Sequence, residues 1–481
     1  MTARPTMASS QELWRLAWPF ILSQSCWTFQ IVLDRVLLSQ SSVEAVGAGI
    51  SAVMMFWSAL TLFQYTALYA TTFVAQYTGA GQPLRVGAVV GQALWFAVGS
   101  GLLFLLLAPL AGWVTSHAGH APELHRMEAA YFRCLCFCAL PLLVNAAVTS
   151  FFGGRGDSTT VMLINVAGLL VNAFWAVTLI FGKLGFPQMG IEGAGWATVF
   201  GCSTTAALGL LVLFRKRHTQ EYGLIEGLRP DRELFGRLMH YGLPQGIGAC
   251  LETLAFSVFL IFVGRLGTED LAATSIACTL NLLAFLPMMG VGQAIEVLVG
   301  QYLGADQPED AERAAWTGLV LAFSVTLFVA AAYAFFPQAL ARPFQTAGDP
   351  EGWARVVERV PPLLRFVAAY CLFDCLNIAF SFALRGAGDT RFVTGLAIAI
   401  SWPVMVLPTY LSWKYGWGLY VAWAFATAYV ILLALTLFVR FLHGAWKQMR
   451  VIEAGSEGLV VPRGEARETA IASSPEGAGR G

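Results

Sequence analysis

Twelve stretches of this chain are apolar over 20 residues or more, and nothing else limits its possible folds so tightly. They lie near 13–39, 50–77, 87–114, 128–152, 160–182, 191–214, 235–264, 273–303, 315–336, 361–384, 392–413 and 417–442. A helix of about 20 apolar residues spans the hydrocarbon layer of a bilayer. Barrel strands are short and alternate in polarity, and these runs do neither, so the spans predict helices. Charge is scarce enough to agree. Of the 481 residues, 12% are charged and 57% apolar, where a soluble domain carries about 25% charged residues. The 29 basic and 29 acidic residues cancel, which leaves no net field to recruit nucleic acid. The expected class is an all-α polytopic membrane protein. A soluble multidomain enzyme and a disordered chain are both excluded.

Lys and Arg set the orientation. With both termini on one side, 19 of the 29 basic residues fall in loops on that side. The positive-inside bias then puts both termini in the cytoplasm. Residues 1–12 form a short cytoplasmic start without the pattern of a cleaved signal peptide. Residues 215–234 form a polar cytoplasmic link. The tail, 446–481, is rich in Gly, Ser, Glu and Ala near its end and is expected to be disordered. The nine cysteines all fall inside the spans and suit small apolar fillers better than a disulfide framework or a zinc site.

The chain repeats itself. Val74-Ala-Gln-Tyr-Thr-Gly-Ala-Gly-Gln-Pro83 returns as Val299-Gly-Gln-Tyr-Leu-Gly-Ala-Asp-Gln-Pro308, 225 residues on. Pro19 and Pro244 share that offset, and Gly156-Asp-Ser158 returns as Gly388-Asp-Thr390 at offset 232. A unit of six spans enters each time from the same side. Residues 13–214 and 235–445 are therefore two parallel lobes, with a natural ligand site in the cleft between them near the membrane midplane.

These motifs resemble one family. The proline in the first span, Asp34, Gln-Tyr-x-Gly-Ala after the second, Gly190-Ile-Glu-Gly-Ala-Gly-Trp-Ala-Thr198 at the sixth and Arg385-Gly-Ala-Gly-Asp-Thr390 after the tenth stand in the order found in the multidrug and toxic compound extrusion (MATE) family. The resemblance covers roughly residues 10–445. It implies a twelve-helix, two-lobe antiporter that exports amphipathic organic cations and drugs in exchange for Na+ or H+, not an enzyme. It further implies a multi-pass protein of the inner membrane, working as a monomer in the bilayer on small-molecule cargo, with no cofactor beyond the coupling ion.

An ionisable side chain at membrane depth costs about 2.5–3.5 kcal/mol on insertion scales, so the few that occur point to function. The acids are Asp34, Glu252, Glu296 and Asp374; Arg133 and Arg365 lie nearer span ends, and no clear midplane base accompanies them. Tyr370, Asp374 and Asn377 share one helix face. With Glu252 they offer hard oxygens for Na+, or a proton relay. The alternative is a buried hydrogen-bonded pair that ties helices together. This set also resembles the C-lobe cation site of the NorM-like branch. Asp34, Asn172 and Thr198 resemble the family's N-lobe site, except that Ala176 stands where some members have a second aspartate. Whether Asp34 binds an ion there or only shapes the lobe is left open. Glu296 either faces the cleft and pairs with a cationic substrate or sits at the water interface.

A drug site should be amphipathic and adaptable. Gln30, Trp57, Gln64, Phe256, Asn281, Phe285 and Met288 are expected to line it, with Glu296 if that acid faces the cleft. Pro19 and Pro244 can bend their helices, as hinges or as fixed kinks. His117, His120 and His125 share one loop and suit a solvated segment. A flippase of lipid-linked saccharides is the alternative function. It calls for basic residues in the cleft, where acids stand instead.

Overall fold

The computed structural model describes residues 10–40, 43–116, 122–344 and 350–453. Helices α1 (Ser10–Ser39), α2 (Val43–Leu68, resuming after Tyr69 as Ala70–Gly79), α3 (Pro83–Leu107), α4 (Pro122–Gly154), α5 (Ser158–Phe181) and α6 (Gly190–Leu213) build the first lobe. Helices α7 (Arg232–Leu266), α8 (Thr268–Gly304), α9 (Pro308–Phe335), α10 (Pro350–Ala387), α11 (Thr390–Tyr415) and α12 (Leu419–Leu442) build the second. Among the described residues, eleven helices are long and apolar enough to cross a membrane; the backbone of α2 is interrupted at Tyr69. The described residues contain no strand.

The repeated motifs are the punctuation of these helices. Pro83 and Pro308 open α3 and α9, where a missing N–H costs nothing and φ is already helical. Asp157 caps α5, accepting from the Thr160 N–H at 3.2 Å. Its counterpart Asp389 takes the Arg440 guanidinium at 2.8 Å instead. The turn before α3 needs a left-handed residue and has Gly81 at φ +68°; the matching turn uses Asp306 at φ +59°. Aspartate tolerates that region better than most residues, so the backbone repeats where the sequence does not.

The helices run unbroken through Pro19 and Pro244. The irregularities of α2 and α11 lie elsewhere, at Tyr69 and in a π-helical turn over Ser401–Val406. The 215–234 link is built rather than loose. Two short helices, Lys216–Tyr222 and Leu224–Gly227, lie on α3. Gln92 of α3 holds them, donating to the Arg229 carbonyl at 2.9 Å and accepting from the Asp231 N–H at 3.2 Å.

The lobes meet along a seam where α1 packs on α8 and α2 on α7. It runs from mid-height, where the Cys250 thiol donates to the Ser58 carbonyl at 3.3 Å, to the face carrying the described chain ends. Backbones touch there. A Cβ on Gly79 would fall 1.9 Å from the Gln301 carbonyl oxygen, and one on Gly304 2.0 Å from that of Gln76. Small residues permit such an approach between membrane helices. The two repeat copies also lock each other. Gln76 donates to the Gly386 carbonyl at 2.9 Å, and its mate Gln301 donates to the Gly154 carbonyl, the mate of Gly386, at 2.8 Å.

Residues 446–453, expected to belong to a disordered tail, are folded onto the lobes. Trp446 is fully buried and stacks on Phe441, because its indole has an apolar floor and a carbonyl partner there. The chain then folds back as a strap across the seam. The Val451 N–H donates to Gln76 Oε1 at 2.9 Å, and Glu453 pairs with Arg237 of α7 and accepts from the Tyr77 hydroxyl of α2. Residues 454–481 lie outside the described residues, as do His117 and His120. Gln76→Ala strands both the Gly386 carbonyl and the Val451 N–H, each at a cost of about 1–3 kcal/mol to the closed seam. The expected result is loss of the short-distance population between spin labels at Leu84→Cys and Glu309→Cys.

Candidate functional site: a cavity between the lobes and two acid clusters

Beyond the seam, toward the opposite face, the lobes border a cavity of about 490 Å³. α1 contributes Gln24, Trp27 and Gln30, α2 contributes Trp57, Gln64 and Tyr65, and α8 contributes Leu282, Phe285, Met289, Gln293 and Glu296. Trp27 and Trp57 stack with centroids 5.1 Å apart, a flat aromatic wall of the kind that attracts organic cations. Amides and apolar side chains around it suit varied amphipathic molecules.

Of the residues expected here, Gln30, Trp57, Gln64, Phe285 and Glu296 line the wall. Three do not. Met288 is fully buried inside the second lobe, its sulfur 3.2 Å from the Cys375 thiol. Asn281 turns toward α10 and accepts from the Cys371 thiol at 3.2 Å. Phe256 is 44% exposed on the outside of α7, stacked on Phe259. Glu296 settles between its alternatives as a buried cavity residue, not an interfacial one.

The second lobe holds Glu252 and Asp374 away from that wall. Asp374 is buried and accepts from Asn377 Nδ2 at 2.9 Å, one helical turn on. The charge of Asp374 acts on Glu252, both act on Tyr429 of α12, and Tyr370 also feels Asp374. Two carboxylates, two phenols and an amide in one region of the lobe form an oxygen-rich group of the kind that suits Na+ or a shared proton. Tyr429 was not among the expected residues. It carries no motif, and only the packing of α12 against α10 brings it here.

The first lobe holds a smaller group beside a pocket of about 110 Å³. Thr198 donates to Asp34 Oδ2 at 3.4 Å; among the described residues Asp34 Oδ1 has no hydrogen-bond partner, and Asn172 sits beside them without a bond of normal length. The three expected residues are thus brought together, with buried polar capacity unused. Tyr131 also lines this pocket.

A base lies near enough for its charge to be felt by two of these acids. Arg385, expected as a loop charge, lies over the Phe382 ring at 5.5 Å, and its charge acts on both Glu252 and Glu296. Its signal was its place in the Arg-Gly-x-Gly-Asp-Thr motif, where the first lobe has Gly153.

Known proteins share this architecture. The MatE family model matches twice, over residues 19–178 and 244–411, once in each lobe. The multidrug resistance protein PmpM of Pseudomonas aeruginosa is 30% identical over 410 residues, covering 82% of each chain. A probable multidrug resistance protein NorM of Rhizobium meliloti is 27% identical, covering 85% of each. A MOP superfamily transporter from Pyrococcus furiosus superposes with a TM-score of 0.82 over 92% of this chain and 97% of its own, at 21% identity. Both lobes and the seam between them are thus accounted for by one twelve-helix plan, and the chain belongs to the MatE family.

Proposed function

We propose that this protein is a secondary active multidrug exporter that moves small amphipathic molecules, chiefly organic cations, out of the cell by antiport with Na+ or H+. The observation that carries this reading is the separation of two sites. An aromatic, amide-lined cavity lies between the lobes, while a buried Asp374 and a partly buried Glu252 stand in one lobe, off the cavity wall. Cargo and coupling ion can then occupy different places and influence each other through lobe packing. Relatives named as multidrug resistance proteins support the cargo class, and a family of transporters supports a non-enzymatic role.

With both termini in the cytoplasm of a cell whose inner membrane holds the protein, the seam closes the cytoplasmic side and the cavity belongs to the outward-facing state. The ion reaches Glu252, Asp374, Tyr370 and Asn377 from outside. Filling that site lowers the affinity for cargo, and cargo by the same coupling lowers the affinity for the ion. Asp34, Asn172 and Thr198 form a second candidate ion or proton site in the other lobe. One chain contains every part required, so a monomer suffices.

The test is ethidium efflux from proteoliposomes under an imposed Na+ gradient and, separately, an imposed pH gradient. One of the two drives efflux against the ethidium gradient. Efflux indifferent to both removes the antiport reading.

A further inference from the structure

Among the described residues lining the central cavity, Glu296 alone carries a formal charge. It lies at the cavity's inner end, 7% exposed, and its Oε1 accepts from the Thr72 hydroxyl of α2 at 2.8 Å. That bond crosses from one lobe to the other. The same stretch of α2 holds the seam at two neighbouring points, where Tyr69 donates to the Arg385 carbonyl at 3.2 Å and Gln76 to the Gly386 carbonyl at 2.9 Å. The matching position of the first lobe differs. The mate of Glu296 is Thr71, whose hydroxyl donates to Ser150 of its own lobe at 3.2 Å. Arg385 influences Glu296 but lies over Phe382. The carboxylate therefore has two competitors for its charge, the Thr72 hydroxyl and whatever cation enters the cavity.

We infer that Glu296 is the charge-selecting residue of the cargo cavity, and that a cationic cargo and Thr72 compete for its carboxylate. The inference rests on the cavity being the cargo site. While the seam is open, Thr72 is withdrawn and the free carboxylate pairs with the cation. As the lobes close on the terminus-bearing face, the hydroxyl of Thr72 takes one carboxylate oxygen. The cation then faces a partly satisfied acid and leaves through the open side. Tight binding on one side and weak binding on the other is what an exporter needs. The exchange supplies it at a single residue, with the first lobe contributing the hydroxyl and the second the charge. Coupling is reciprocal, so bound cation also opposes closure of the seam.

The test is equilibrium binding of ethidium, a permanent cation, to purified protein in detergent. Glu296→Gln is expected to weaken binding about tenfold or more, the loss that follows when a buried charge partner is removed. Glu296→Asp keeps the charge and restores most of the affinity. Thr72→Val keeps Glu296 and removes its competitor, so it binds ethidium more tightly than the unaltered protein, a gain that a merely structural threonine would not give. Glu296→Gln binding within twofold of the unaltered protein, or Thr72→Val binding more weakly, overturns the inference. Binding in detergent needs no gradient, so this failure is distinct from a failure of ion-driven efflux.

Discussion

Asp374→Asn abolishes ion-driven efflux while leaving the protein folded in the membrane. The substitution keeps the size of the side chain and can keep a hydrogen bond to Asn377, but removes one of the two carboxylate charges whose influence reaches Tyr429. The pairing lost is that of the carboxylate with the incoming cation; losing one partner of a buried opposite-charge pair costs about 3–5 kcal/mol, and each 1.4 kcal/mol is about tenfold in affinity. Ion affinity should therefore fall by about 10²–10³-fold, beyond what a physiological gradient can fill. Asp374 is not on the cavity wall, so ethidium binding in detergent should survive. That split separates the ion site from the cargo site. It is read by pairing binding with efflux from proteoliposomes in the same preparation. Full gradient-driven efflux by Asp374→Asn would remove this carboxylate from the mechanism, and loss of ethidium binding as well would show that the two sites are not separate.

The second large effect is steric. Gly304→Val cannot be accommodated in the closed seam, because even a Cβ would stand 2.0 Å from the backbone oxygen of Gln76. A backbone atom on a packed helix cannot step aside as a side chain can. Gly79→Val meets the Gln301 carbonyl at 1.9 Å in the same way. Both variants should hold the lobes apart on the terminus-bearing face. Transport falls to background, and the spin-label distance between Leu84→Cys and Glu309→Cys lengthens and stays long. Gly99 has open space around its Cβ position, so Gly99→Ala is the control and transports normally. A Gly304→Val protein with an unchanged distance would show that the seam repacks without backbone separation.

The twelve spans and the parallel repeat were legible because membrane helices must satisfy their backbone internally and show apolar faces to lipid. The acids were legible because charge is rare at that depth. Facing was harder to read. Cavity residues on α8 follow Leu282, Phe285, Met289, Gln293 and Glu296, a stripe with helical spacing. Asn281 and Met288 are one residue off it, rotated by about 100° into the second lobe. Periodicity shows that such a stripe exists but not which neighbouring stripe meets the other lobe. Arg385 was misplaced for a related reason. It ends its helix, as a loop charge would, yet its side chain lies over Phe382. The strap after α12 was masked by a polar composition that its one large anchor, Trp446, overrides.

The exchange of glutamines across the seam has the form of a two-fold isologous contact. Position i of one unit meets position j of the other, and j meets i in return. Homodimers are built on that rule. A single six-helix unit carrying one Gln-Tyr-x-Gly-Ala could have closed the same seam against a copy of itself. In such a dimer every change appears twice, so an acid beside one threonine is an acid beside both. Joining the units in one chain releases that constraint. Thr71 could then remain a hydroxyl while its mate became Glu296, and Gly153 a glycine while its mate became Arg385. Symmetry supplied the closing surface, and its loss allowed one half to carry charge.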